Sequence, residues 1–307
     1  MIKKAKAACS STIAVIQRLK INSWDIYCKL FKTLVRATLM HGSEIYAINH
    51  LEELEKVQLA YFKRLLNLAQ NTPNYAIRLE TDENYLSTVI FRNVLNWIEQ
   101  ILDMPAERYP RICFFRQLDL YRRDQTCNKY NWISLICELF FKPLGIDHWL
   151  VSNEFVKIKN EKESLLLNYA TLLKNKDKNS AANSSTLVIY PEIKLLEKGV
   201  QKYLILGLSL KEVCVIAQIR LLNNKNCKLV YDKIKYDLDY CDHCHKCNKL
   251  NTIFHKLIDC EMYLNKRLEF LLPIKDNNNL DIFAILETPN LINCKNFIRY
   301  VLYIIKN

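Results

Sequence analysis

Glycine is nearly absent. Only four glycines occur in 307 residues, and Gly42, Gly145, Gly199 and Gly207 lie far apart. Dinucleotide folds and P-loop NTPases concentrate glycine where the backbone must approach phosphate, so nucleotide-binding enzymes of those types are excluded. Long apolar runs are missing too. The longest are Tyr203 to Leu210 and Tyr300 to Ile305. Both fall well short of the roughly 20 residues that span a bilayer. The opening Met1-Ile2-Lys3-Lys4-Ala5-Lys6 has the charge of a secretory leader, but Ala7-Ala8-Cys9-Ser10-Ser11 supplies no apolar segment behind it. The expectation is an intracellular protein of nucleus or cytoplasm with no membrane partner. Acidic charge is also in deficit, with 32 Asp and Glu against 44 Lys and Arg, a formal net charge of +12. Catalytic patterns are lacking: there is no nucleophile elbow, no zinc-protease helix and no deaminase signature. Asp237, Asp239 and Asp242 lie close together, but nothing else converges on them, and a solvent face explains them. By itself the chain does not read as an enzyme.

What is present is apolar, helical and rich in cysteine. Half of the residues are hydrophobic, enough for one large core or two modest ones. A basic helix is expected from about Ile2 to Leu19. Asn22-Ser23 can cap a second that opens at Trp24, with Asp25 favoured in its first turn and a stripe of Tyr27, Leu30, Phe31, Leu34 and Val35. His41-Gly42 closes it. Leu54, Val57, Tyr61, Leu65 and Leu68 mark a helix from Leu51 to Leu68, acids first and bases last. Asn71-Thr72-Pro73 breaks the pattern. A helix resumes from Asn84 to Met104, and shorter ones follow at Asn131 to Phe141 and Glu154 to Lys174. The polar run 175–185 reads as a linker. Beyond it are expected a strand at Thr186 to Tyr190, a helix at Lys211 to Leu222, a β-like stretch at Leu229 to Tyr240 and an apolar helix at Lys295 to Ile305. The architecture predicted is mainly α: a helical bundle over 1–72, a helical connector over 73–174, and a C-terminal helical region over 186–307 with a small metal-centred module.

Two features carry chemistry. The stretch CDHCHKCNKLNTIFHKLIDC, Cys241 to Cys260, gathers four of the twelve cysteines and three of the six histidines. Zinc takes four nitrogen or sulfur ligands at tetrahedral geometry, and two cysteines separated by two residues can bite one ion from a tight turn. The spacing offers two registers. Cys244, Cys247, His255 and Cys260 make the compact one; Cys241 replaces Cys247 in the looser one, as alternate ligand. Either closes the shell and makes the zinc structural. Cys9, Cys28, Cys113, Cys137 and Cys214 sit singly in apolar segments, as small hydrophobes do. The second feature is basic charge on helices. Lys3, Lys4, Lys6, Arg18, Lys20, Lys29, Lys32 and Arg36 outnumber Asp25 in the first thirty-six residues, and Lys63 and Arg64 follow. Such clusters attract RNA or DNA through counterion release, without sequence preference.

The order of segments resembles the C-terminal part of reverse transcriptases from non-LTR (LINE-type) retrotransposons, most like jockey-type elements. KLFKTLVRATLMHGSEIY, Lys29 to Tyr46, is similar to the family's thumb helix and the turn that ends it. LEKVQLAYFKRLLNLAQNTPNYAIRLE, Leu54 to Glu80, is the most specific match. VIAQIRLLN, Val215 to Asn223, resembles the helix before the knuckle, and CHKCNKLNTIFHKLIDCEMYLNKR, Cys244 to Arg267, the zinc knuckle itself. The resemblance favours the compact CCHC register, within a knuckle spanning 241–267, and implies template and primer handling by a thumb with nucleic-acid contact by the knuckle. Glu261 stands where the family often has proline. The family's palm carboxylates lie upstream of the thumb, and a restriction-like nuclease would need more than the 47 residues after Cys260. The expectation is therefore a non-catalytic binding fragment. Its alternatives are the tail of a longer active polymerase, with the palm upstream in a parent polyprotein, or a helical protein-interaction module with a zinc staple.

Overall fold

The computed structural model describes residues 1–123, 130–187, 199–222, 228–238, 244, 246–248, 252–253, 255–271, 282–287 and 289–306. These residues are mainly helical, as the periodicity predicts, with one two-stranded sheet among them. They form two compact units drawn from interleaved stretches. The first combines Met1–Ala8, Lys32–Gln58 and Asn84–Lys176; the second combines Cys9–Phe31, Leu59–Glu83 and Asp177–Asn307. The sequential division at 72 and 174 does not coincide with these units.

In the first unit the helix Leu86–Asp103 fills the span expected from Asn84 to Met104; of its periodic apolar positions Leu86, Ile90, Val94 and Ile101 are buried and Trp97 is half-buried. Its Phe91 stacks on Phe140, ring centres 4.8 Å apart, and meets Phe141 and Tyr169 edge-on. Offset and edge-to-face rings add ~0.5 to 1.5 kcal/mol per pair beyond the area they bury. Asn131 opens the helix Trp132–Ile136 by accepting from the amides of Ile133 and Ser134 at 2.9 and 3.3 Å. Its amide donates to the Gln117 carbonyl at 2.9 Å, fixing the turn to the helix Tyr109–Arg123. That helix has no counterpart in the periodicity: its buried Phe114, Leu118 and Tyr121 share a face, but the exposed Tyr109, Ile112 and Leu120 spread apolar residues around the rest of it.

The second unit packs Trp24, Phe31, Tyr61 and Phe62 together, with Phe31 5.0 Å from Tyr61. The Tyr61 hydroxyl donates to the Tyr27 carbonyl at 3.0 Å. Tyr61 and Leu65 belong to the helix Leu51–Leu65, which ends one turn before the expected Leu68. Pro73, at the N-terminus of a further helix Asn74–Thr81, starts structure as well as breaking it: proline lacks the N–H that a first turn leaves unpaired. Ser209 and Glu212 form a reciprocal capping box for the helix Leu210–Arg220. Strands β1 (Lys228–Tyr231) and β2 (Ile234–Asp237) pair antiparallel, Lys228 opposite Asp237 and Tyr231 opposite Ile234. Asp232 and Lys233 turn between them with φ of 48° and 69°. These are the left-handed values that a two-residue hairpin turn requires. The helix Leu291–Lys306 buries Phe297, Tyr300, Val301 and Ile304 and contacts both Leu210–Arg220 and Leu264–Leu271.

Two expectations are corrected, and a third falls mostly outside the described residues. The run from Trp24 is split into Trp24–Leu30, a π turn Phe31–Arg36 and Ala37–Met40. The wider turn rotates the face, so Leu34 is 49% exposed while Phe31, Val35 and Leu39 are buried. Residues 175–182, expected as linker, continue the helix Lys162–Ala182. Asp177 is buried there, 3.8 Å from the Arg78 guanidinium. Of the strand expected at Thr186 to Tyr190, residues 188–190 lie outside the described residues.

Candidate functional site

Four side chains converge late in the chain. The ligand atoms of Cys244, Cys247, His255 and Cys260 all lie within 4.8 Å of one another. Local chemistry builds each arm. Asn248 takes a left-handed φ of 51° and returns its amide to the Cys244 carbonyl at 2.8 Å, closing the tight turn that carries Cys244 and Cys247. Thr252 accepts from the His255 amide at 3.2 Å and starts the π turn His255–Asp259. The Cys260 amide donates to the His255 carbonyl at 2.7 Å, so a single turn separates these two ligands.

The geometry fits a tetrahedral ion. At a metal–sulfur distance of ~2.3 Å, sulfurs on a tetrahedron sit ~3.8 Å apart. The Cys260 sulfur is 3.7 Å from that of Cys244 and 4.0 Å from that of Cys247. A disulfide would bring two sulfurs to about 2 Å. All three cysteines are free thiols. Both ring nitrogens of His255 are buried without a hydrogen-bond partner, and a metal bond would satisfy one of them. The Cys247 amide, directed at the Cys244 sulfur, holds that thiol down to about 6, so it is ionised and ready to ligate at neutral pH. Burial pushes the Cys260 thiol up to about 11, which a cation would reverse. The Glu261 amide donates to the Cys247 sulfur at 3.5 Å. The four residues can thus hold a metal ion, and their soft N/S donor set is compatible with zinc. Cys241, the alternate ligand, lies outside the described residues, as do Asp239, Asp242, His243 and His245.

A second layer of contacts supports the cluster. Arg267 donates to the Leu257 and Cys260 carbonyls, both at 2.9 Å, and lies 3.1 Å from the Tyr300 hydroxyl. Tyr300 in turn donates to the Leu257 carbonyl at 3.0 Å. This ties the ligand-bearing turn to the helix Leu291–Lys306. Sequence reasoning gave Arg267 and Tyr300 no role; only the arginine's position at the end of the knuckle pattern hinted at one.

The basic positions divide between the units. Lys3, Lys4, Lys6 and Lys32 are exposed in the first, with Arg36 half-buried; Arg18, Lys20, Lys29 and Arg64 are exposed in the second. Lys63 is corrected. It is only 6% exposed, and its ammonium donates to the Gln70 carbonyl at 2.8 Å and the Asn74 side chain at 2.9 Å. Burial lowers its pKa. There it pins the turn before Asn74. Lys20 and Arg64 line one cleft together with Lys211 and Lys233, two cations that the sequence reading did not single out. Asp237 faces Lys228 across the hairpin at 3.4 Å, both about half exposed, as a solvent-side pair. Among the described residues no helix is long and apolar enough to cross a membrane. No family model, no curated protein and no solved structure matches the chain.

Proposed function

We propose that this chain binds RNA or DNA and acts as the thumb, connector and knuckle portion of a LINE-type retrotransposon reverse transcriptase, without catalysing a reaction of its own. Zinc held by Cys244, Cys247, His255 and Cys260 cross-links two short turns. One observation carries the reading: the four residues of the compact CCHC register converge on one point at tetrahedral spacing. A shell of four protein ligands leaves no position for a reacting water, so the ion stabilises and does not catalyse. The exposed cations Lys3, Lys4, Lys6, Arg18, Lys20, Lys29, Lys32 and Arg64 add the electrostatic means to hold a polyanion.

Binding of a structured RNA, titrated from low to physiological salt, tests the reading. A steep linear fall of log affinity with log salt is expected, with a slope of about −0.7 to −0.9 per phosphate neutralised. Affinity that stayed flat, or no retention at low salt, would leave the protein-interaction reading. That second reading rests on the helix Tyr109–Arg123, whose Tyr109, Ile112 and Leu120 are exposed.

A further inference from the structure

We infer that the cleft between the Arg64–Asn67 turn and the β1–β2 hairpin is a seat for single-stranded nucleic acid, taking a base on its floor and a phosphate at its rim. The inference rests on the nucleic-acid-binding reading and assigns it a place. The cleft encloses about 740 Å³, and all of its lining residues belong to the second unit. That volume falls within the range of roughly 300 to 1,000 Å³ found for ordinary ligand pockets.

Charge selects the class of occupant. The rim carries Lys20, Arg64, Lys211 and Lys233 against a single acid, Asp232, which pairs with Lys211. Four cations less one carboxylate leave three positive charges around one recess. The floor carries none. Ile16 and Leu65 are buried there, and the Cys214 thiol, donating to the Leu65 carbonyl at 3.3 Å, stays protonated because burial pushes it up to about 12. An uncharged floor inside a cationic rim suits a ligand whose one part is planar and apolar and whose other part is anionic. Asn22 at the rim offers an amide that both donates and accepts, as base edges require, while the Asn67 amide donates to the Val230 carbonyl at 3.3 Å. The half-buried ring of Tyr231 adds a stacking surface. A duplex turns its phosphates outward and keeps its bases stacked inside, so it reaches the rim and leaves the floor empty. A single strand fills both.

Lys20 and Lys233 allow a clean test. Both take left-handed φ values, 50° and 69°. Asparagine tolerates that conformation, so Lys20→Asn/Lys233→Asn removes two rim charges without new backbone strain. Lys157→Gln/Lys159→Gln removes the same charge from the helix Phe155–Asn160 and serves as the matched control. The probe is a short fluorescent single-stranded oligonucleotide, read by anisotropy across a salt series on zinc-loaded full chain. The cleft variant is expected to bind about tenfold more weakly than the control, with a salt slope shallower by ~1.4, two phosphate contacts at ~0.7 each. Unlabelled single strand is expected to displace the probe better than duplex or polyglutamate of equal charge. If wild type binds while the two variants match, or if duplex or polyglutamate competes equally, the cleft is not the seat. If wild type does not bind at all, the nucleic-acid reading falls, and the cleft assignment with it.

Discussion

The two units are held together by different means. The first is centred on rings: Phe91, Phe140, Phe141 and Tyr169 meet ring to ring, and its ion pairs, such as Arg92 with Glu163 and Lys162 with Glu99, stay partly exposed. The second places charge in its interior. Arg220 and Glu80 are both fully buried, joined at 2.6 Å, and the same guanidinium reaches Gln201 at 2.9 Å and the Leu286 carbonyl. One arginine therefore gathers four segments scattered along the chain. Lys63 and Arg267 do similar work on a smaller scale, and in the CCHC cluster four metal-binding side chains meet beside the buried Ile253 and Leu257. Apolar packing is tolerant of shape. Buried polar knots are not, because removing one partner strands the other.

Four substitutions sharpen that contrast, from large effect to small. Glu80→Ala leaves the Arg220 charge buried and is expected to cost about 3 to 5 kcal/mol of stability, read by denaturant unfolding. Phe140→Leu in the first unit stays apolar but gives up ring contacts with Phe91 and Tyr169, and is expected to cost about 1 to 3 kcal/mol. Equal losses at the two positions would erase the distinction between the units. Asn131→Ala removes a helix cap with two bonds and is expected to lower stability by ~1 kcal/mol. Lys233→Gly relieves a left-handed residue worth ~1 to 2 kcal/mol but adds ~0.5 to 1 kcal/mol of chain entropy, so a net gain of about 0.5 kcal/mol is expected as a small rise in Tm.

The same contrast explains what could be read from the sequence. The stripes of Leu51–Leu65 and Leu86–Asp103 are legible because helical burial repeats with a fixed period. A CCHC-type ligand set is legible because closely spaced cysteines and a histidine suit one tetrahedral ion, but the spacing leaves two registers and the resemblance picks the compact one. What escaped was decided at long range. Residues 175–182 look like a linker until Arg78 is seen beside Asp177. Lys63 looks like a surface cation until Gln70 and Asn74 close over it. Leu34 fits the stripe until a π turn shifts the face. Lys211 and Lys233 join Lys20 only once the hairpin folds against the helix that Ser209 caps. No local pattern announces any of these.

The account turns most directly on the metal content of the full chain, purified without added metal, beside that of Cys260→Ser. About one zinc per wild-type chain is expected, with loss of the ion and a lower Tm in the variant. Wild-type chain that folds without zinc, or a variant that keeps both zinc and melting temperature, would contradict it.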